Sequence, residues 1–153
     1  MNNMEVLQVG NPFLNEIVPE IKSSSEFYDH EQLIKDLVEV CIKWKGMAIA
    51  SNQIGASVRL FVMMDLSTRE FKEYFNPVIL SGTGRNRDLE GCLSFRKPEV
   101  QYYVRRKHKI DLTYRDIDNT VHIKTFEGLE ARCIQHEIDH LNGITMESKG
   151  KLK

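Results

Sequence analysis

The stretch Gln135-His136-Glu137-Ile138-Asp139-His140-Leu141-Asn142-Gly143 decides how the rest of this sequence is read. His136 and His140 stand four residues apart, so on a helix both imidazoles project from one face, where they can hold one cation with Glu137 beside them as a base. Ile134, Ile138 and Leu141 fall at helical spacing. With Leu129 and Cys133 they predict an amphipathic helix from about Glu127 to Leu141, ended by Gly143. A helix flanked by so many apolar residues is expected to be buried, and unpaired imidazoles and a carboxylate would be costly there. That cost favours ligation over two polar side chains on a wet surface.

Two imidazoles do not complete a catalytic metal site, which takes three protein ligands and keeps one position for water. In the HExxHxxGxxH pattern of some metallopeptidases a third His follows, but Met146 stands at that position here. In the short remainder of the chain Glu147 is too near for a separate ligand helix, so the third ligand must come from upstream. His30, His108 and His122 read as ordinary surface or sheet residues, and Cys41 as part of an apolar helical stripe. Cys133, three residues before His136, suits packing better than ligation. Cys92 sits in Glu90-Gly91-Cys92-Leu93-Ser94 after a glycine-bearing loop, where a thiolate can be presented to a cation that lowers its pKa. Composition alone leaves the assignment open.

Working outward, 153 residues suit one domain, read here as 1–153. Lys and Arg number 21 against 22 Asp and Glu, a net charge of −1 that withdraws the usual electrostatic case for nucleic acid or anionic membrane as a main partner. No apolar run approaches a membrane span, no secretory signal is visible, and three cysteines cannot close a disulfide framework. A reducing, cytoplasmic setting with free thiols is expected.

A first helix is predicted over Asp29–Lys45, with Asp29 and Gln32 as a capping box, Leu33, Ile34, Leu37, Val38 and Cys41 on its apolar face, and Gly46 as its stop. Val58–Asp65 and Asn76–Leu80 read as strands, and Gly82, Gly84 and Asn86 as a loop. Ile110, Leu112 and Tyr114 alternate with polar residues, and Val121 and Ile123 continue the pattern after a turn at Asp116–Asn119, which predicts an antiparallel hairpin. Helix, short strands and a late helix without regular βαβ alternation indicate an α+β class.

With EGCLS at 90–94, QHEIDHLNG at 135–143 and GMAIASNQIG at 46–55 all in order, the sequence resembles the peptide deformylases, whose first motif is GxGLAAxQxG. The resemblance runs nearly end to end, from Val6-Leu7 through Gly10-Asn11-Pro12 to Gly143. It implies short, mostly antiparallel strands packed around a central helix bearing HExxH. It also implies Cys92, His136 and His140 as metal ligands, Glu137 as acid and base, Gln53 and the Leu93 N–H as oxyanion donors, and Gly46, Met47 and Ala48 as the edge lining the substrate. The second glycine of the first motif is Ala48 here, and Phe95-Arg96 follow Cys-Leu-Ser where the family often shows an apolar residue and Pro, which puts a cation near the groove. The chain ends at Lys153, soon after Gly143, so the C-terminal helix linked to ribosome docking in longer bacterial members is expected to be absent, as in short phage-type forms.

The chemistry so implied is removal of the formyl group from N-formylmethionyl nascent peptides. The cation acidifies a water, Glu137 takes its proton, Gln53 and Leu93 receive the developing negative charge, and Glu137 returns the proton to the amine. Leu129, Cys133 and Met47 are candidates for the methionine pocket. The resemblance implies Fe²⁺ in the cell, replaceable by Ni²⁺, Co²⁺ or Zn²⁺, in a cytoplasmic monomer that contacts neither nucleic acid nor membrane directly. The competing classes are an HExxH metallopeptidase with another third ligand and a metal-binding homologue without turnover.

Overall fold

Leu37, Val40 and Cys41 are buried on one side of a helix, and the computed structural model, which describes residues 4–22, 27–95 and 100–153, forms that helix over Glu31–Lys43 (α1). A short 3-10 turn, Tyr28–His30, precedes it, and no side chain caps its start. The expected Asp29–Gln32 capping box does not form, because Gln32 donates instead to Asp36 Oδ1 at 3.0 Å, one turn along. The helix stop also differs from expectation. Lys45, not Gly46, takes the left-handed conformation (φ 56°), its N–H donating to Ile42 O at 3.1 Å and that of Gly46 to Cys41 O at 2.8 Å, the Schellman pattern. A Cβ on Gly46 would lie 2.8 Å from Leu93 Cδ1 and 3.2 Å from Cys41 Sγ, so both side chains would have to shift to admit one.

Ala48–Ala50 (β1), Leu60–Met64 (β2), Phe71–Thr83 (β3), Lys109–Arg115 (β6) and Val121–Glu127 (β7) make a five-stranded antiparallel sheet in the order β1-β2-β3-β6-β7. Asn86–Glu90 (β4), Tyr102–Arg106 (β5) and Lys151–Leu152 (β8) make a second, three-stranded sheet in the order β4-β5-β8. Gly128–Leu141 (α2) and the short Met146–Lys149 (α3) complete the α+β fold. The predicted loop at Gly82–Asn86 shrinks to Gly84 and Arg85, since Gly82 still pairs with Ile110 in β3 and Asn86 already pairs with Arg106 in β4. The continuous apolar run of β2 is buried on both faces: Leu60 and Val62 meet α1, while Phe61 and Met63 join the cluster around α2.

In the β6–β7 hairpin Ile110, Leu112 and Tyr114 point to the core opposite Phe126, Lys124 and His122. This register places Val121 and Ile123 on the solvent face, 52% and 69% exposed, and corrects the expectation that they continue the core pattern. Strand β6 alternates as its sequence predicts, while the turn shifts β7 by one residue, which reverses its faces.

Helix α2 is apolar toward the large sheet through Ala131, Ile134, Ile138 and Leu141. Its other side buries Arg132, Gln135, His136 and Asp139. These reach the small sheet by polar links: Arg106 pairs with Asp139, and Arg132 Nη1 donates to Val104 O at 2.9 Å. Burying Ile134 and Leu141 fully is worth roughly 1.5–3 kcal/mol each. That apolar side holds the helix while the polar side aims the motif.

Candidate metal centre

Helix α2 carries His136 and His140 on the side that faces the segment after β4, and that segment delivers Cys92. The ligand atoms of all three residues lie within 4.8 Å of one another. His140 Nε2 is 3.1 Å from His136 Nε2 and 3.2 Å from Cys92 Sγ. Two imidazole nitrogens this close repel through their lone pairs unless a proton or a cation stands between them. One thiolate and two imidazoles form a donor set suited to a tetrahedral divalent transition metal with a fourth position for water. No other such cluster of three occurs among the described residues.

The orientation of His136 comes from Glu90, whose Oε1 lies 2.9 Å from Nδ1 and leaves Nε2 for the centre. Glu90 is itself clamped: Arg106 donates to both of its oxygens at 2.9 Å, and Arg132 Nη1 donates to Oε2 at 2.6 Å. Burial would raise the Glu90 carboxyl, but the hydrogen bonds and charges of His136 and Arg106 hold it down at about 2. His140 is placed from its backbone, where Asn52 Nδ2 donates to its carbonyl at 2.7 Å.

Glu137 is buried beside the trio, and its Oε1 has no protein partner among the described residues. Burial pushes its carboxyl up to about 7, against the positive charge of His136. Gln53 sits in the 3-10 turn Ser51–Ile54 that follows β1. Its Oε1 accepts from Ala50 N at 2.9 Å, which turns Nε2 toward Cys92 Sγ at 3.6 Å and Ser94 Oγ at 3.0 Å. Leu93 follows Cys92 directly, its carbonyl accepting from Gln8 Nε2 at 3.3 Å.

Gln53, Glu90, Cys92, Leu93, His136 and Glu137 line a groove of about 850 Å³, with His140 against Cys92 and His136 just behind its wall. Gly46, Met47, Ala48, Leu129 and Cys133 line it as well, so all the residues expected at the site meet in one place. Leu129 is 56% exposed, so it belongs to the groove wall and not to the core stripe of α2. Cys133 Sγ lies 3.5 Å from Met47 Sδ, and burial pushes its thiol up to about 12, which keeps it an apolar wall element. Cys41 is likewise raised to about 12 by burial. His122 pairs with Asp116 at 2.8 Å, His30 stands 6.1 Å from the Phe75 ring, and the His108 carbonyl accepts from Gly128, all away from the centre. Ala48, where the motif has glycine, is ordinary strand backbone opposite Met63. Arg96, the cation expected near the groove, lies outside the described residues.

Sequence reasoning missed the clamp of Glu90, Arg106 and Arg132, together with Asn52 and Ser94. Glu90 stood in the quoted EGCLS segment, but its partners are 16 and 42 residues away and carry no local signal.

Comparison with known proteins agrees with this geometry. The model of the family described as polypeptide deformylase matches residues 3–151. A peptide deformylase of Carboxydothermus hydrogenoformans is 35% identical over 145 residues, covering 95% of this chain and 91% of that protein. One from Chlorobaculum parvum is 43% identical over 118 residues, covering 73% of this chain and 62% of that longer relative. Among solved structures, peptide deformylase from Thermotoga maritima superposes with a TM-score of 0.88 at 29% identity, covering 97% of this chain and 98% of that one. The PDF of the Vibrio parahaemolyticus bacteriophage VP16T, in complex with actinonin, gives a TM-score of 0.84 at 31% identity, with 93% and 99% covered.

Proposed function

The chain belongs to the polypeptide deformylase family, and from that premise we propose that it removes the formyl group from N-formylmethionyl peptides in the cytoplasm, releasing formate. The observation that carries this reading is the convergence of Cys92 with the two imidazoles of α2 beside buried Glu137, in the wall of an apolar groove. A divalent cation held by Cys92 Sγ and the two Nε2 atoms would supply Lewis acidity toward a water and the formyl oxygen. Fe²⁺ is the proposed ion in the cell, and Ni²⁺, Co²⁺ or Zn²⁺ can take the same donors.

Glu137 takes a proton from the attacking water as the new C–O bond forms, and gives it to the amine nitrogen as the C–N bond breaks. Burial raises this carboxyl, which helps it hold the proton between the two transfers. Gln53 Nε2 and the Leu93 N–H donate to the formyl oxygen. The Gln53 amide is fixed by Ala50, so it needs little reorganisation when charge develops. Because β1 is the edge of its sheet, Gly46–Ala48 can pair with an extended peptide, whose methionine side chain enters between Met47, Leu129 and Cys133.

Anaerobically purified protein loaded with Fe²⁺ or Ni²⁺ should release formate from formyl-Met-Ala-Ser, and Glu137→Ala should bind the metal without turnover. Absence of formate from metal-loaded parent protein rejects the activity. Full metal affinity in Cys92→Ala would point instead to a metallopeptidase with another third ligand.

A further inference from the structure

The net charge of −1 hides a segregation of charge on the small sheet. In β5, Val104 and Arg106 point inward and are buried, so Tyr103 and Arg105 point outward. Arg87 of β4 lies directly opposite Arg105, and Lys151 of β8 directly opposite Tyr103, which puts all four on the same outer face. Asp88 and Glu90 alternate to the other face. At one end of this face Arg85, Arg105 and Lys107 share a hollow of about 260 Å³ with Lys149, on the side of α2 marked by Gln135, Ile138 and Asp139, away from the groove of the metal centre. Lys149 is paired with Asp139 at 3.0 Å. Among the described residues, Arg85, Arg87, Arg105, Lys107 and Lys151 form no ion pair.

Like charges directly opposite one another on neighbouring strands destabilise a sheet. An anion lying between Arg87 and Arg105 would relieve that repulsion. Arg87 Cζ also stands 4.7 Å from the Tyr103 ring centroid, so the cations are interleaved with an aromatic group. Cations in two rows beside a ring match a phosphodiester backbone carrying unstacked bases, because phosphates need the charge and a base face needs the flat surface.

We propose that the outer face of the β4-β5-β8 sheet binds single-stranded RNA, with phosphates in the hollow of Arg85, Arg105 and Lys107 and a base stacked at Tyr103 and Arg87. This site is separate from the groove and does not depend on the proposed chemistry there.

The test is fluorescence anisotropy of a labelled twelve-nucleotide oligouridylate against the metal-loaded full chain at low salt. Saturable binding is expected, with a log–log salt slope of about −3 for roughly four neutralised phosphates. Arg105→Glu should weaken binding at least tenfold while keeping the parent's melting temperature or raising it, because the new carboxylate faces Arg87 across the strands. Arg105→Gln should weaken binding less and serves as a second folded variant. Tyr103→Ala should cost about 5- to 100-fold through lost stacking. Formate release from formyl-Met-Ala-Ser should be unchanged in the Arg105 variants, so loss of RNA binding and loss of turnover are read separately. The proposal is overturned if the oligonucleotide does not bind, if Arg105→Glu binds it as tightly as the parent, or if vesicles of anionic phospholipid retain the protein and the oligonucleotide does not.

Discussion

Glu90 Oε1 accepts at 2.9 Å from Nδ1 of His136, and this contact ties the candidate metal centre to an ionic clamp between α2 and the small sheet. Glu90→Gln keeps an acceptor for the imidazole but removes the charge facing Arg106 and Arg132, leaving the buried Arg132 guanidinium without a carboxylate partner and Arg106 with Asp139 alone. Loss of such outer support typically costs about 10- to 100-fold in metal affinity, and breaking a buried ion pair roughly 3–5 kcal/mol of stability. Competition with a chelator measures the first and denaturant unfolding the second. Parent-like values in both would mean that the clamp positions nothing.

The same carboxylate predicts how stability depends on pH. It titrates at about 2 in the folded chain and near 4.5 when unfolded, so the folded state holds the charged form more tightly. The resulting stability is fully present above pH 4.5 and is lost as the pH falls from there toward 2. A difference of this size corresponds to something on the order of 3 kcal/mol. Unfolding curves of parent and Glu90→Gln should differ most near neutrality and draw together only as the pH falls to about 2 and below. A gap that stayed constant across that range would rule out Glu90 as its origin.

How much of this was legible in the sequence differs from element to element. The α2 helix was, because Ile134, Ile138 and Leu141 recur at its period and the two imidazoles share a face. The register of β7 was not, since its core face carries His122 and Lys124 beside Phe126 and has no apolar alternation to read. Strand β4 reads Asn-Arg-Asp-Leu-Glu and pairs with β5 across a long connection, so no local pattern announces it. The candidate trio was legible only in part: spacing gave the two imidazoles on one helix face, whereas Cys92 rested on family resemblance, because the contact joins residues 48 positions apart. Net charge says nothing of how the small sheet distributes its cations, since a sum over the chain cannot show which face they occupy.

Helix α2 ends in the same Schellman pattern as α1, but with Gly143 (φ 74°) in the left-handed position. A Cβ on Gly143 would lie 2.5 Å from Asn15 O and 2.7 Å from Asn15 C, which are backbone atoms that cannot swing aside. Gly143→Ala adds this overlap to the left-handed penalty of roughly 1–2 kcal/mol, so at least about 2 kcal/mol of stability should be lost. Since Gly143 follows the motif closely, metal affinity should fall with it. A variant with the parent's melting temperature would contradict the close approach to Asn15.

The converse substitution is available at α1, where Lys45 holds φ 56° without being glycine. Its side chain is exposed and forms no ion pair among the described residues, so little is lost by removing it. Lys45→Gly removes the steric cost of a Cβ in the left-handed region, although glycine also makes the unfolded chain more flexible. The first effect is the larger at a position whose backbone is fixed by two hydrogen bonds, to Ile42 O and, from the next residue, to Cys41 O. The variant should gain about 0.5–1 kcal/mol, seen as a melting temperature a few degrees higher in calorimetry. The opposite sign at Gly143, under the same cap geometry, makes the pair a controlled comparison: if both substitutions destabilised equally, the backbone conformation at these helix ends would not be what sets their stability.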